Sequence, residues 1–283
     1  SISGRLVVNI FGGGTVDTER RVMSGLLRQP TFKRKTNTYV SYFAEQGYTT
    51  FGGHPNNEWF YKRYRANKNI GFADYAFTEN YFSAFDTPKK DAVFLPEVLR
   101  LYEQAQAGGN PCFGFFVTFQ GHGPYNPDAS FDKTYLPQGD IPAEEYNLIE
   151  DYFQQVGDTC RQIALLVDEL RMREEPVVLV LCGDHNPFLG KNGFDHLGIN
   201  MDTATEEGFY NYYSTPYLIW GNDAAKAALG NDLVGQGPVI SPEFLVPTVF
   251  SALGWEGDTH IQVNAELARR LPVIHKTGRF LEN

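Results

Sequence analysis

The chain has 283 residues, of which 42% are hydrophobic and 20% are charged, so it can bury a sizeable core and is not expected to be disordered. Its formal net charge of -10 argues against nonspecific nucleic-acid binding, which needs clustered Lys and Arg to displace counterions. Cys112, Cys160 and Cys182 are widely spaced and include no CxxC pair, which excludes a cysteine metal knuckle or a disulfide framework. No apolar run reaches membrane-spanning length, and no signal peptide opens the chain.

Strands and helices are predicted to alternate along the chain. Residues 5–11 read as a strand and residues 15–28 as the helix that follows it. Further helices are predicted over 39–46, "DAVFLPEVLRLYEQAQAGGN", "EEYNLIEDYFQQVGDTCRQIALLVDELR" and "SPEFLVPTVFSALGW", and further strands over 48–51, "PCFGFFVTFQ", "PVVLVLC" and "TPYLIWGN". Residues 126–143 and 186–211 are predicted to be long irregular loops. This alternation predicts an α/β fold with a mainly parallel central sheet and helices on both faces, in one domain over residues 1–283.

Polar residues follow four of the predicted strands directly. These residues are Thr15, His54, His122 and the pair Asp184–His185. In open α/β sheets, ligands bind outside the carboxyl ends of the strands. We therefore expect these side chains to gather at one rim of the sheet.

The stretch "FGGGTVDTE" carries three consecutive glycines before Thr15. It has neither the Lys-Ser/Thr ending of a P-loop nor the glycine spacing of a dinucleotide fingerprint. A sharp turn remains, with Thr15 at a strand-to-helix junction where helix amides point towards a docked anion. Thr15 is either a nucleophile or simply the N-cap of the helix, a commoner role for threonine.

The stretch "CGDHNP" places Asp184 and His185 at the end of the most apolar strand. The two side chains offer a carboxylate oxygen and an imidazole nitrogen to one cation, although Gly-Asp is also common in surface turns. A threonine hydroxyl is a weak nucleophile unless a base or a metal activates it. A cation held by Asp184 and His185 would activate Thr15 and stabilise charge on a phosphoryl oxygen.

Other candidate residues surround these two motifs. His122, flanked by glycines, is a candidate for binding a substrate oxygen or protonating a leaving group, or it is a core histidine. Arg63 suits bidentate contact with a phosphate, while His54 and Tyr61 lie within ten residues of it. The basic run "KRYRANK" is either a solvated face or a cradle for an anionic substrate.

These motifs together resemble the catalytic domain of the lipoteichoic acid synthase and phosphoglycerol transferase family, a sulfatase-like branch of the alkaline phosphatase superfamily. "FGGGTVDTE" is similar to the nucleophile loop of that family, "VTFQGHGPY" to its histidine loop and "LVLCGDHNP" to its metal motif. The segment from "SYFAEQGYTTFGGH" to "NIGF" and the strand "STPYLIWGN" also match. The resemblance spans most of the chain, with the five segments in the same order.

The resemblance implies a metal-dependent phosphoglycerol transferase or phosphodiesterase with Thr15 as the nucleophile and a phosphothreonine intermediate. Thr15, Asp184 and His185 would ligate one divalent cation, typically Mn²⁺, with Mg²⁺ or Zn²⁺ as alternatives. His54, Tyr61, Arg63 and His122 would surround the glycerol phosphate group. The donor would be a phosphatidylglycerol-like lipid and the acceptor a glycan or polyol phosphate. The site would face the exterior of a bacterial cell membrane, anchored by helices outside this chain.

One family feature is missing from the sequence. Family members carry a glutamate metal ligand at the end of a strand well before the nucleophile, whereas none of the 14 residues before Thr15 is acidic. Glu19 lies one helical turn past Thr15 and is expected to point away. Either that strand, with the membrane helices, precedes Ser1 in a longer protein, or the chain lacks this ligand. We therefore expect weak or absent metal binding.

Two alternatives to a phosphoryl transferase stay open. A sulfatase would need a Cys or Ser in a C/S-x-P-x-R motif, which the sequence lacks. A non-catalytic module that recognises glycerol phosphate polymers would explain the missing glutamate. The retention of Thr15, His122, Asp184 and His185 together argues against that module.

Overall fold

A computed structural model describes residues 1–281 of the chain. The strands are β1 Ile2–Val7, β2 Thr49–Gly53, β3 Asp74–Ala76, β4 Cys112–Phe116, β5 Val178–Cys182, β6 Ser214–Gly221, β7 Gly235–Ile240, β8 Val273–Ile274 and β9 Phe280–Leu281. The helices are α1 Val16–Ser24, α2 Tyr39–Glu45, α3 Arg63–Ile70, α4 Asp91–Gln106, α5 Ala143–Arg171, α6 Gly193–His196, α7 Glu206–Tyr213, α8 Asp223–Leu229, α9 Leu245–Leu253 and α10 Thr259–Arg270.

Two sheets form the centre of the molecule. The first has the strand order β5-β6-β1-β7, and the second has the order β3-β2-β4. All pairs in the second sheet are parallel, and so is the β1–β7 pair, whereas β6 is antiparallel to both of its neighbours. The α/β class is therefore confirmed, with β6 as one reversed strand. The composition of β6 does not reveal its direction, because the same residue types form a strand in either orientation.

Helices cover both faces of the two sheets, and the two sheets share the same helical layers. On one face, Phe116 of β4 and Leu179 of β5 belong to one cluster with apolar side chains of α4 and α5. On the other face, Phe115 of β4 and Val180 of β5 pack in one cluster with side chains of α1, α9 and α10. The alternation of side chains along each strand produces these two cores.

Several predicted boundaries differ from the observed ones. The helix predicted over 15–28 ends at Ser24, because Gly25 takes a left-handed conformation with φ of 66° and caps it. Residues 186–211, predicted as a loop, contain α6 and most of α7. The helix predicted to begin at Ser241 opens with a 3₁₀ turn, Pro242–Phe244, before α9. Residues 126–143 hold no strand and no helix before α5 begins, as predicted.

Amide hydrogen exchange should distinguish the outer edge of β5 from the edge that pairs with β6. The Val177 carbonyl and the Gly183 amide form hydrogen bonds on the β6 side of β5. In an antiparallel ladder every second residue forms such bonds, so the amides of Val178 and Val180 point away from β6. Neither amide has a strand partner within residues 1–281. We expect both to exchange roughly tenfold or more faster than the amide of Leu179, which faces β6. Equal protection along the strand would reveal a further pairing partner on this edge.

A buried carboxylate near the start of α9 should make stability depend on pH. Glu243 is fully buried, and burial raises its pKa to about 7, although Arg21, 3.6 Å from its Oε1, opposes the shift. Between the ordinary pKa and 7 the folded state binds more protons than the unfolded state, so the free energy of unfolding falls as pH rises.

From pH 5 to pH 8, the free energy of unfolding should therefore fall by about 3 kcal/mol less in Glu243→Gln than in the unchanged chain. Urea denaturation at the two pH values measures this difference. Glu256→Gln, at an exposed position, is the matched control and should leave the pH dependence unchanged. A Glu243→Gln variant with the same pH dependence as the original chain would contradict the buried titration.

Candidate active site

The glycine-rich loop and the Asp184–Asn186 segment are held directly against each other. The Gly12 amide donates to the Asn186 carbonyl at 2.9 Å, and the Thr18 hydroxyl donates to the Asp184 carbonyl at 2.7 Å. Thr15 lies between these two contacts along the chain. The two motifs that the sequence predicts to cooperate thus meet in the fold.

The conformation of the loop explains its three glycines. Gly12, Gly13 and Gly14 have φ angles of 69°, 152° and 93°, values that residues other than glycine rarely adopt. Thr15 follows in helical conformation at the N-cap of α1, but its side chain makes no capping hydrogen bond. Its hydroxyl has no hydrogen-bond partner among residues 1–281, so the capping role does not account for this threonine.

Asp184 and His185 form a pair of potential metal ligands. His185 Nε2 lies 3.2 Å from Asp184 Oδ2, and His185 Nδ1 lies 2.9 Å from the Asn186 carbonyl. Because a carbonyl only accepts, Nδ1 carries a proton. This arrangement turns Nε2 towards the carboxylate, and it is the usual outer-shell support of a metal-binding imidazole. Asp184 Oδ2 and His185 Nε2 are the atoms that would hold a cation.

These residues fit a cation, but with few ligands. Over the described part of the chain, no group of three or more His, Cys, Asp or Glu side chains is placed to hold a metal ion. The donor set that the structure shows is therefore one carboxylate and one imidazole, and Thr15 lies on the segment that is bonded to them. When bound, a cation would supply positive charge next to that hydroxyl.

Asn186 is a positioning residue that the sequence analysis missed. Its side-chain Nδ2 donates to the carbonyls of Asn211, Tyr212 and Ser214 at 3.0 to 3.2 Å. These bonds fix the turn after His185 against the start of β6. The motif "GDHNP" contained this asparagine, but the three acceptors lie 25 to 28 residues away and left no local signal.

Arg63 forms a buried ion pair with Glu19. Its Nη2 lies 2.6 Å from Glu19 Oε2 and its Nε 3.1 Å from Oε1, and both side chains are almost completely buried. Arg63 was predicted to contact a substrate phosphate in bidentate fashion; here Nε and Nη2 are engaged, and the buried Nη1 has no partner in the described structure. Glu19, which was expected to point away from the metal site, is paired with Arg63.

His54 lies beside this ion pair in an uncharged form. It is 4% exposed, and its Nδ1 donates to the Val117 carbonyl at 2.8 Å. Burial lowers the pKa of His54 to about 4, and the charge of Arg63 adds to the effect. At neutral pH its Nε2 can therefore accept a hydrogen bond but cannot serve as an acid.

His122 borders an open cleft at the end of the β3-β2-β4 sheet. The cleft has a volume of about 460 Å³, and the exposed His122 ring stacks on Phe119 at 5.0 Å. Lys89 lies over the same Phe119 ring, with Nζ 4.2 Å from the ring centre. The lining residues are Pro55, Asn56, Asn57, Thr78, Asp86, Thr87, Pro88, Lys89, Lys90, Phe119, Gln120, His122 and Gln155. The lysines were not singled out by the sequence analysis.

Tyr61, the remaining predicted residue, lies against Arg63. Tyr61 is 37% exposed, and its ring lies 5.2 Å from the Arg63 guanidinium carbon. In the loop that carries His122, burial raises the pKa of Tyr125, and the nearby charge of Asp184 adds to this. The structure thus joins the segment that carries Thr15 to the Asp184–Asn186 segment, and it places His54 and Tyr61 beside Arg63.

Comparison with known proteins assigns this site to a family. A family model described as Sulfatase matches residues 3–255. The chain belongs to the sulfatase family. A curated relative from Rhizobium meliloti (strain 1021), described as a putative cyclic beta-1,2-glucan modification protein, is 26% identical over 264 residues, which cover 87% of this chain. The chain spans only 39% of the length of that relative.

Solved structures of this sulfatase-like type share the fold. The Streptococcus pyogenes phosphoglycerol transferase GacH, in complex with sn-glycerol-1-phosphate, superposes with a TM-score of 0.74 and 20% identity, over 96% of this chain and 70% of its own. The Listeria monocytogenes lipoteichoic acid synthase LtaP gives a TM-score of 0.67 and 17% identity, over 92% of this chain and 67% of its own. The sulfatase-like family predicted from the motifs is confirmed by the family model, and these structures confirm the fold. Within residues 1–281, no helix combines the length and apolar character required to cross a membrane.

Proposed function

We propose that this chain is a phosphoglycerol transferase or phosphodiesterase that works through Thr15. One observation carries the proposal: Thr15 lies between two hydrogen bonds that join its loop to Asp184 and Asn186, while its own hydroxyl has no partner. A free hydroxyl at the N-terminus of a helix, on a segment bonded to the one that carries the carboxylate–imidazole pair, suits attack on a phosphoryl group.

The reaction would proceed in two displacements. Thr15 Oγ attacks the phosphorus of the donor, its proton is lost to solvent, and the bond from phosphorus to the donor alcohol breaks. The exposed His122 supplies a proton to the departing alcohol. An acceptor hydroxyl, or water, then attacks the phosphothreonine and gives its proton to His122, while the bond from phosphorus to Thr15 Oγ breaks and Thr15 Oγ takes a proton from solvent. A divalent cation held by Asp184, His185 and Thr15, in this proposal Mn²⁺, would stabilise the negative charge on the phosphoryl oxygens.

The chain's own residues would orient the donor. The amides of the first turn of α1 and the Nη1 of Arg63 offer hydrogen bonds to phosphate oxygens. The uncharged His54 would accept a hydrogen bond from a glycerol hydroxyl, and Tyr61 would cover the group. Lys89 and Lys90 in the cleft beside His122 would attract an anionic substrate.

The names of similar proteins support the choice of substrates. GacH is named a phosphoglycerol transferase and LtaP a lipoteichoic acid synthase, while the Rhizobium relative is named for glucan modification. We infer a phosphatidylglycerol-like lipid as the donor and a glycan or polyol phosphate as the acceptor. The reaction would take place at the outer face of a bacterial membrane.

Hydrolysis of chromogenic esters tests the proposed chemistry. We expect the chain with added Mn²⁺ to release nitrophenolate from bis(p-nitrophenyl) phosphate and to leave p-nitrophenyl sulfate intact, because no C/S-x-P-x-R motif provides a sulfatase nucleophile. A chelator should abolish the release. Preferential cleavage of the sulfate ester would replace the proposal with the sulfatase alternative.

A non-catalytic module that binds glycerol phosphate polymers is the second candidate. It is favoured by the small donor set, since no three-ligand group of His, Cys, Asp or Glu occurs in residues 1–281. Calorimetric titration with Mn²⁺ examines this point directly, and we expect binding weaker than micromolar. Polymer binding without diester cleavage at saturating Mn²⁺ would support the module over the enzyme.

A further inference from the structure

Positive charge is concentrated in two segments of an otherwise acidic chain. Residues 20–44 and 59–73 contain ten of the 24 Lys and Arg residues and none of the 34 Asp and Glu residues. The formal net charge of the whole chain is -10, so the rest of the chain is strongly acidic. A segregation of this kind creates one surface with the opposite sign from the rest of the protein.

The fold joins these two segments into one surface. The Thr36 amide donates to the Asn69 carbonyl at 3.0 Å, and Asn69 Nδ2 donates to the Phe32 carbonyl at 2.8 Å. Seven basic side chains in the segments are exposed, and none of them is paired with a carboxylate in the described structure. We call this surface the basic–aromatic face; its basic members are Arg28, Lys33, Arg34, Lys35, Lys62, Arg65 and Lys68.

Four aromatic side chains stand on the same face. Trp59 is 63% exposed, Phe60 39%, Tyr61 37% and Tyr64 45%. Tyr61 and Lys62 both have φ of 56°, a left-handed conformation that is costly for bulky residues unless the surroundings hold it. Arg20 supplies part of that support, since its Nη2 donates to the Tyr61 carbonyl at 2.7 Å.

We propose that the basic–aromatic face docks onto the surface of an anionic phospholipid bilayer. Trp and Tyr rings favour the interface between lipid and water, where an apolar ring and a polar edge are both accommodated. Unpaired Lys and Arg are attracted by anionic headgroups. A soluble anionic polymer would neutralise the cations but leave Trp59 in water, whereas a bilayer interface takes both kinds of side chain. This inference concerns binding alone and stands apart from the chemistry proposed above.

Docking would place the nucleophile close to the lipid headgroups. Arg20 belongs to α1, the helix that begins directly after Thr15. The turn that presents the aromatic rings is therefore bonded to the helix that carries the nucleophile. A lipid donor would reach the site without leaving the membrane surface.

Vesicle co-sedimentation tests this assignment. We expect the chain to bind vesicles containing phosphatidylglycerol and not vesicles of phosphatidylcholine alone, and we expect binding to weaken as salt is raised. The triple variant Lys33→Gln, Arg34→Gln, Lys35→Gln should bind the anionic vesicles roughly 100-fold more weakly. The control variant Lys133→Gln, Arg171→Gln, Lys191→Gln removes the same charge from exposed positions elsewhere and should bind nearly as the original chain does.

Tryptophan fluorescence reports the aromatic half of the face. Addition of anionic vesicles should shift the emission to shorter wavelength, and Trp59→Phe should remove this shift whereas Trp255→Phe, at another exposed tryptophan, should keep it. Absence of binding to anionic vesicles at low salt would overturn the proposal, as would an equal loss in both triple variants. Binding to soluble polyglycerol phosphate but not to vesicles would also overturn it.

Discussion

Replacement of Thr15 by alanine should lower nitrophenolate release from bis(p-nitrophenyl) phosphate by at least about a thousand-fold, because loss of a nucleophile removes the first displacement. The neighbouring hydroxyl of Thr18 cannot substitute, since it donates to the Asp184 carbonyl at 2.7 Å. The thermal midpoint should hardly change, because the Thr15 side chain makes no capping hydrogen bond. Steady-state kinetics and thermal denaturation of the same preparations measure both expectations.

Thr15→Ser is the matched control for this experiment. It keeps the hydroxyl and removes only a methyl group, so it should retain measurable activity. Acid quench of the Thr15→Ser and original chains with a phosphodiester should trap phosphate on residue 15, as detected by mass spectrometry. Activity of Thr15→Ala equal to that of the original chain would rule out the nucleophile and leave the binding module as the better explanation.

Much of the candidate site could be predicted because its residues follow strands. Thr15 and the Asp184–His185 pair stand at strand ends in the sequence, and parallel strands bring such ends together. The glycines at 12 to 14 indicated an unusual turn, and their positive φ angles provide it. Local composition was sufficient for these features, because each depends on residues adjacent in sequence.

Other features depend on partners distant in sequence and were not predictable from one sequence. Glu19 and Arg63 are 44 residues apart, and nothing in either segment showed that the carboxylate would take two of the guanidinium donors. The reversed direction of β6 is likewise set by how the loop after Cys182 returns to the sheet. Arg63 was predicted to bind a phosphate through two donors, and its pairing with Glu19 leaves Nη1 as the donor without a partner in the described structure.

Breaking the buried Glu19–Arg63 pair by removing one partner should cost more stability than breaking an exposed ion pair. Glu19→Ala leaves a buried guanidinium without its carboxylate, and we expect a loss of about 3–5 kcal/mol in the free energy of unfolding. Arg171→Ala breaks an exposed pair with Asp168 and should cost no more than about 1 kcal/mol. Urea denaturation at neutral pH measures both values.

Removing both partners should be less harmful than removing either one. The double variant Glu19→Met, Arg63→Met fills the space with apolar side chains and leaves no buried charge, so it should recover most of the stability lost in Glu19→Ala. If the pair also holds α1 in register with the start of α3, the double variant would fold but lose diester cleavage, because Glu19 lies in the first turn after Thr15 and Arg63 begins α3. A double variant as unstable as Glu19→Ala would mean that the two charges do not compensate each other. Full activity in a stable double variant would show that the pair serves stability alone and would remove Arg63 from the proposed phosphate contacts.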